Sequence, residues 1–215
     1  MSAKRQSPQD EDRRINALYE QQRQAGAAAC VIGVDEVGRG SVAGPLTVAA
    51  VALPLEPQIP GLDDSKKLSF IRREELALAI EEVALAIGIS HVEPDIIDCI
   101  GMAASLRTAM VQAIESCHLN PDLVLIDGKP MRIHERERCI VKGDSKVACI
   151  AAASIVAKVR RDALMIAADA DFPGYGFASN KGYASEEHIK AIREQGLTSF
   201  HRVSFCHNFL QQRLF

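Results

Sequence analysis

The stretch VIGVDEVGRGSVAGPLTVAAVALP (Val31 to Pro54) constrains this chain more than any other. Two apolar runs rich in β-branched residues and alanine, Cys30–Asp35 and Leu46–Leu53, suit strands buried on both faces. About ten residues join them with no helical pattern, too few for a parallel crossover, so the two strands are expected to pair antiparallel. Two adjacent carboxylates, Asp35 and Glu36, end the first run. A Gly-Arg-Gly turn (Gly38, Arg39, Gly40) follows at once, and the chain then becomes apolar again.

The rest of the chain alternates strand and helix patterns. Residues 1–9 read as a loose tail and 10–25 as a polar amphipathic helix ended by Gly26. Ser69 can cap a helix reaching about Ala86, and IGISHV reads as a strand. Pro94 can open a helix that runs to about Cys117, with Ile96, Ile97, Ile100, Leu106 and Met110 as its apolar face. DLVLIDG (122–128) and RCIVKGD (138–144) read as short strands, each ending in an acid. Residues 146–171 read as a long helix with a small-residue face, broken at Gly174 and Gly176. Helices at about 185–195 and 206–214 close the chain. An α/β architecture follows, a mixed sheet flanked by helices with a small C-terminal helical subdomain.

With 215 residues, 47% of them hydrophobic, the chain can bury a real core. A net charge of −3 means that any nucleic-acid surface must be a local patch. Six cysteines are scattered without a CxxC pair, which argues against a structural zinc or disulfide framework and fits a reducing compartment. The charged N-terminus lacks an apolar signal region, and no run of about 18 apolar residues occurs. A cytoplasmic protein without membrane contact is expected, and nothing in the sequence demands more than a monomer.

Three strand candidates finish on acids: Asp35 with Glu36, Asp127, and Asp144. Any one of them alone reads as the start of a turn. Gathered by a sheet, four carboxylates would raise one another's pKa and strain the fold unless cations joined them. An all-oxygen donor set without organised histidine or cysteine suits Mg²⁺ or Mn²⁺ rather than zinc. Asp144→Asn is then expected to remove activity and raise the melting temperature of the metal-free protein. Adjacent strand residues point to opposite faces, so the strand is expected to end at Asp35 and Glu36, with Gly38 and Gly40 permitting the turn. Dinucleotide binding fails on spacing, since Gly38, Gly40 and Gly44 give GxGxxxG, followed by a strand instead of a helix.

Basic residues recur beside these acids: Arg39, Lys66, Lys67, Lys142, Lys146, Lys158, Arg160, Arg161, Lys181 and Arg202. An acidic centre with a basic rim implies phosphodiester chemistry. Tyr175 reads as packing, and Tyr183, between a glycine and a polar turn, as a stacking platform.

The segments GVDEVGRGSVAGPL, DDSKKLS, VLIDG, VKGDSKVACIAAASIVAKVRRD, YGFASNKGYAS and HRVSF closely resemble bacterial ribonuclease HII, the type 2 ribonuclease H, in that family's order. The resemblance implies a ribonuclease H-like fold with a five-stranded mixed sheet. Its domains would be residues 1–26 as a polar tail and helix, 27–172 as the catalytic domain, and 173–215 as a helical substrate-binding extension. It implies an endonuclease that uses two metal ions to cut RNA in RNA/DNA hybrids and incises 5′ to single ribonucleotides in duplex DNA, leaving 5′-phosphate and 3′-hydroxyl ends. The family's metal-binding and catalytic carboxylates fall on Asp35, Glu36, Asp127 and Asp144. Its ribose-sensing loop falls on Gly38, Arg39 and Gly40, its phosphate-contacting lysine on Lys66 and its junction-sensing tyrosine on Tyr183. Asn180 and Val203 depart from the family pattern, and His201 reads as structural.

Two rivals remain at this level: a resolvase or integrase-like DNA nuclease on the same fold, and a catalytically silent hybrid-binding protein. The terminal Gln211-Gln212-Arg213-Leu214-Phe215 resembles peptides that dock on bacterial sliding clamps. Packing of Leu210, Leu214 and Phe215 on the body is the competing and preferred reading.

Overall fold

A computed structural model of the chain describes residues 8–26 and 30–210. Its centre is a five-stranded sheet ordered β3-β2-β1-β4-β5. The strands are β1 (Val31–Val37), β2 (Leu46–Ala52), β3 (Ala86–Val92), β4 (Leu123–Asp127) and β5 (Glu137–Ile140). β1 pairs antiparallel with β2, as its short connection requires, and β2 antiparallel with β3. β1 pairs parallel with β4, and β4 with β5.

Alternation along the strands feeds two cores. Val31, Ala49, Val51 and Leu125 face α1 (Pro8–Ala25), α2 (Phe70–Val83) and α5 (Ala148–Asp171). Ile32, Val34, Val48, Ala50, Val124 and Ile126 face α3 (Pro94–Ile100) and α4 (Met102–Glu115). The first helix is tied into the body. Gln22 donates to the Leu53 carbonyl at 2.7 Å and accepts from the Cys149 amide at 2.9 Å, and the Tyr19 hydroxyl accepts from the Ile59 amide at 3.0 Å. A third cluster holds α6 (Phe177–Asn180), α7 (Glu186–Gln195) and α8 (Val203–Leu210) around Tyr175, Phe177, Ile192 and Cys206.

Several boundaries differ from the sequence reading. The helix expected from Pro94 to Cys117 is two helices, because Gly101 adopts φ 80° between them. Ile97, Leu106 and Met110 are buried, whereas the break leaves Ile96 and Ile100 exposed. Ser69 does cap α2, accepting from the Arg72 amide, but the helix stops at Val83. β1 continues through both acids to Val37. β5 ends at Ile140, so Asp144 lies beyond it in the tight turn Gly143–Ser145. Among the described residues no helix is long and apolar enough to cross a membrane.

The alanine-rich face of α5 lets that helix approach the sheet closely, and Gly33 marks the nearest point. A Cβ there would lie 2.3 Å from the Cys149 carbonyl carbon, which no side-chain rotation can relieve. Gly33→Ala should lower the urea midpoint by the equivalent of about 2 kcal/mol with an unchanged m-value.

Candidate active site

Asp35 and Glu36 leave opposite faces of β1 because the strand does not end at them. Asp35 is 5% exposed, accepts from the Glu36 amide at 2.8 Å and is hydrogen-bonded by Ser154 of α5. Asp127 ends the neighbouring strand, and its Oδ1 accepts from the Gly143 amide at 2.7 Å. That same turn carries Asp144, entered through Lys142 in the left-handed region. Oxygens of Asp35, Asp127 and Asp144 all lie within 4.8 Å of one another. Glu36 is outside this trio and faces Arg39, whose guanidinium is 3.7 Å away.

The site holds its negative charge at a cost. Burial, then the charges of Glu36 and Asp127, push Asp35 well above the usual carboxylate range. Burial, then Asp144, raises Asp127, and burial raises Glu36 against the opposing pull of Arg39. Lys66 Nζ donates to Asp144 at 2.9 Å and is in turn held protonated by that bond. Removing the Asp144 charge would therefore strand Lys66, and the relief expected from sequence at Asp144 belongs at Asp35. Three converging carboxylates, with no histidine or cysteine in the group, fit a hard divalent cation.

The Gly-Arg-Gly loop is held from beneath. Arg202 donates to the carbonyls of Gly38 (2.6 Å), Ser41 (2.8 Å) and Gly44 (2.8 Å). Arg161 donates to those of Pro45 (2.8 Å), Ala43 (3.0 Å) and Lys181 (2.8 Å). Both guanidiniums are fully buried, so these two residues are not part of the basic rim. Gly38, at φ 87°, is required by this packing, since a Cβ would meet Arg161 Nε at 2.2 Å. Gly40 is not: open space surrounds its missing Cβ. The amides of Arg39 and Gly40 donate to no carbonyl among the described residues, and both residues are exposed.

A cavity of about 290 Å³ is lined by Asp35, Glu36, Lys66, Arg73, Lys158 and Tyr183, among others. Tyr183 is 41% exposed, with the Arg161 guanidinium 5.8 Å from its ring centroid. Tyr175 is packing, as expected, with its ring stacked on Phe177 and its hydroxyl donating to the Gly196 carbonyl. Ser154 and Arg73 were not singled out in the sequence. Ser154 sits in an alanine-rich helix where a lone hydroxyl is a weak signal, and nothing in SFIRREE distinguishes Arg73. Asn180 closes the turn beneath Tyr183, donating to the Tyr175 carbonyl and accepting from the Gly182 amide. Gln211–Phe215 lie outside the described residues.

This sheet order, with carboxylates gathered at the ends of adjacent central strands, defines a nuclease of the ribonuclease H-like class. A family model described as ribonuclease HII matches residues 32–208. The ribonuclease HII of Moorella thermoacetica is 48% identical over 200 residues, covering 92% of this chain and 97% of the relative. That of Listeria monocytogenes is 45% identical over 176 residues, covering 82% and 67%. Among solved structures, the Archaeoglobus fulgidus RNase HII in complex with PCNA superposes with a TM-score of 0.71 at 29% identity, covering 86% of this chain and 98% of that one. The chain belongs to the ribonuclease HII family and is an endoribonuclease. The DNA resolvase and the silent binder are thereby set aside.

The raised carboxyl of Asp35 fixes the sign of a stability test. Below the unfolded-state value near 4 the group is protonated in both states and costs nothing. As pH rises, the unfolded chain releases the proton first, so stability falls until the folded-state value is passed. In chelator at neutral pH, Asp35→Asn should raise the melting temperature by a few degrees, and calorimetry should show that gain shrinking towards pH 4.

Proposed function

We propose that this enzyme cleaves the RNA strand of RNA/DNA hybrids and incises duplex DNA 5′ to a single embedded ribonucleotide, leaving 5′-phosphate and 3′-hydroxyl ends. The observation that carries this reading is the loop at Gly38–Gly40. Its carbonyls are turned towards buried arginines, its exposed Arg39 and Gly40 amides donate to no carbonyl among the described residues, and the acids of the adjoining strand stand beside it. Such a loop can bring backbone groups against a 2′-hydroxyl, the group that distinguishes RNA from DNA.

Asp35, Glu36, Asp127 and Asp144 would hold two divalent cations, Mg²⁺ or Mn²⁺, whose chemistry is to ease deprotonation of the attacking water and to stabilise the leaving 3′-oxygen. The other residues bind and orient. Lys66, with its side chain 76% exposed, can turn from Asp144 to a substrate phosphate. Arg39 is exposed and only loosely paired with Glu36, which leaves it free to take another phosphate. Tyr183 lines the same cavity as Asp35, where its ring would stack on the deoxyribose that follows the ribonucleotide. A 2′-hydroxyl at that sugar would be crowded, so the site selects a ribose–deoxyribose step.

Residues 173–215 would extend the binding surface around Tyr183. The PCNA complex of the Archaeoglobus neighbour supports interaction with a sliding clamp, for which Gln211–Phe215 are the candidate segment by their sequence. Deleting those five residues should abolish capture by an immobilised sliding clamp while leaving incision of a short duplex unchanged. Lost incision would instead favour packing of this segment on the body.

The decisive assay uses end-labelled duplex DNA carrying one ribonucleotide, beside all-DNA and all-hybrid duplexes, with Mg²⁺ or Mn²⁺ and with EDTA. Metal-dependent incision 5′ to the ribonucleotide, absent from all-DNA and lost in Asp35→Asn, is expected. Gly40→Ala should retain the wild-type melting temperature yet lose about tenfold or more of that incision through displaced backbone contacts. Gly38→Ala should lose both. Cutting of all-DNA duplex would refute the proposed reading of the loop.

A further inference from the structure

Behind Tyr183 lie two histidines that the chemistry above does not use. His188 is fully buried and His201 is 2% exposed. Their Nε2 atoms are 3.1 Å apart. Hydrogen positions follow from the partners at either end. His201 Nδ1 lies 3.0 Å from the Thr198 amide, which can only donate, and 2.9 Å from the Thr198 hydroxyl, which can donate or accept; the amide assigns that nitrogen as the acceptor. The proton of a neutral His201 is then on Nε2, and His188 Nε2 must accept it. His188 in turn carries its proton on Nδ1, which lies 2.8 Å from the Tyr183 carbonyl oxygen. The chain has one direction: Thr198 amide, His201, His188, Tyr183 carbonyl. A further proton on either ring would set two N–H groups against each other or against the Thr198 amide. Burial agrees with neutrality, pushing His201 down to about 4 and lowering His188.

This chain ends at the Tyr183 carbonyl, and the backbone of its first histidine lies against the segment that follows the glycine loop. His201 forms a β-bridge with Ala43, at the end of the glycine loop. Tyr183 follows Gly182 in the left-handed region, and its ring is 41% exposed with the Arg161 guanidinium over one face. Its backbone must supply the stiffness. The Tyr183 carbonyl accepts from His188 and from the Ser185 amide at 2.8 Å, and the imidazoles are wedged by Tyr175 and Phe177 at centroid distances of 4.9 and 5.3 Å.

We infer that His188 and His201 form a neutral, unidirectional hydrogen-bond relay that holds the Tyr183 backbone at a fixed distance from the glycine loop, which makes His188 a positioning residue for the ribose–deoxyribose step. The inference rests on the reading of Tyr183 given above. His188→Leu keeps bulk and removes both nitrogens, whereas His188→Asn retains an N–H able to reach the Tyr183 carbonyl.

The test is a double-mutant cycle on the full chain, scored as kcat and KM for single-ribonucleotide duplex. His188→Leu should lower kcat/KM about tenfold in the wild type and add nothing in a Tyr183→Ala background, with His188→Asn recovering most of the loss. Losses that multiply would overturn the relay and leave the Tyr183 reading standing. A Tyr183→Ala variant with wild-type incision would overturn both. Independently of any variant's folding, ¹⁵N spectra of the wild-type imidazoles at pH 7 should show the Nε2–H tautomer at His201 and the Nδ1–H tautomer at His188. Any other pair, or a charged ring, would overturn the relay.

Discussion

Two buried guanidiniums organise the site. Arg161 and Arg202 are fully buried and are satisfied by main-chain carbonyls rather than by carboxylates. Burial lowers both, and Arg202, further pressed by the charge of Arg161, falls to about 10, which still leaves it charged at neutral pH. A buried charge without such partners would cost several kcal/mol. Here the carbonyls of Gly38, Ser41, Ala43, Gly44 and Pro45 provide them, and in doing so they fix the peptide planes of the whole β1–β2 connection. Turning carbonyls inward leaves the amides of Arg39 and Gly40 for whatever approaches from outside. The loop is thus preorganised by cations that never meet the solvent. Arg161 also bonds the Lys181 carbonyl and lies near the Tyr183 ring, so one residue ties the loop to the segment opposite it.

The acids depend on a different constraint, the close approach of α5 to the sheet. Gly33 and the small residues of α5 allow contact between backbones, which brings Ser154 against Asp35. The same packing dries the carboxylate and raises its proton affinity. A wider spacing would admit water, lower that affinity and weaken the demand for a cation. Stability and function oppose each other here: the fold tolerates a charge it would be more stable without, because the core around it is made of well-packed alanine, valine and isoleucine.

Much of this could be read from the sequence, and what could not has a common cause. The antiparallel β1–β2 pair followed from a short connection, and the Ser69 cap from local chemistry, because both are decided within a dozen residues. Alternation sends Asp35 and Glu36 to opposite faces of a regular strand, so the sequence points to a turn there, whereas the strand runs on to Val37 and keeps both acids on it. Asp144 was assigned to a strand because the apolar run points at it, whereas a left-handed Lys142 turns the chain first. Arg161 and Arg202 were counted with the solvated lysines, since a guanidinium neutralised by carbonyl dipoles leaves no partner visible in the side-chain sequence. Gly101 was overlooked because a glycine inside an apolar periodicity reads as tolerated.

The Lys66–Asp144 pair shows how these constraints meet. In the chain by itself the ammonium caps the one acid of the trio that another residue neutralises, at 2.9 Å. Among the described residues Asp35 and Asp127 have no cation so near, and burial raises the proton affinity of both. A cation entering among the three would take over the work of Lys66 and release it towards the cavity, where a phosphate would arrive. Because Lys66 is largely exposed, moving it costs little. Cation and substrate would then favour each other through a single side chain, without any shift of the backbone. The site thus has two halves of different stiffness: a loop whose carbonyls are clamped by the buried Arg161 and Arg202, and the exposed side chains of Lys66 and Arg39.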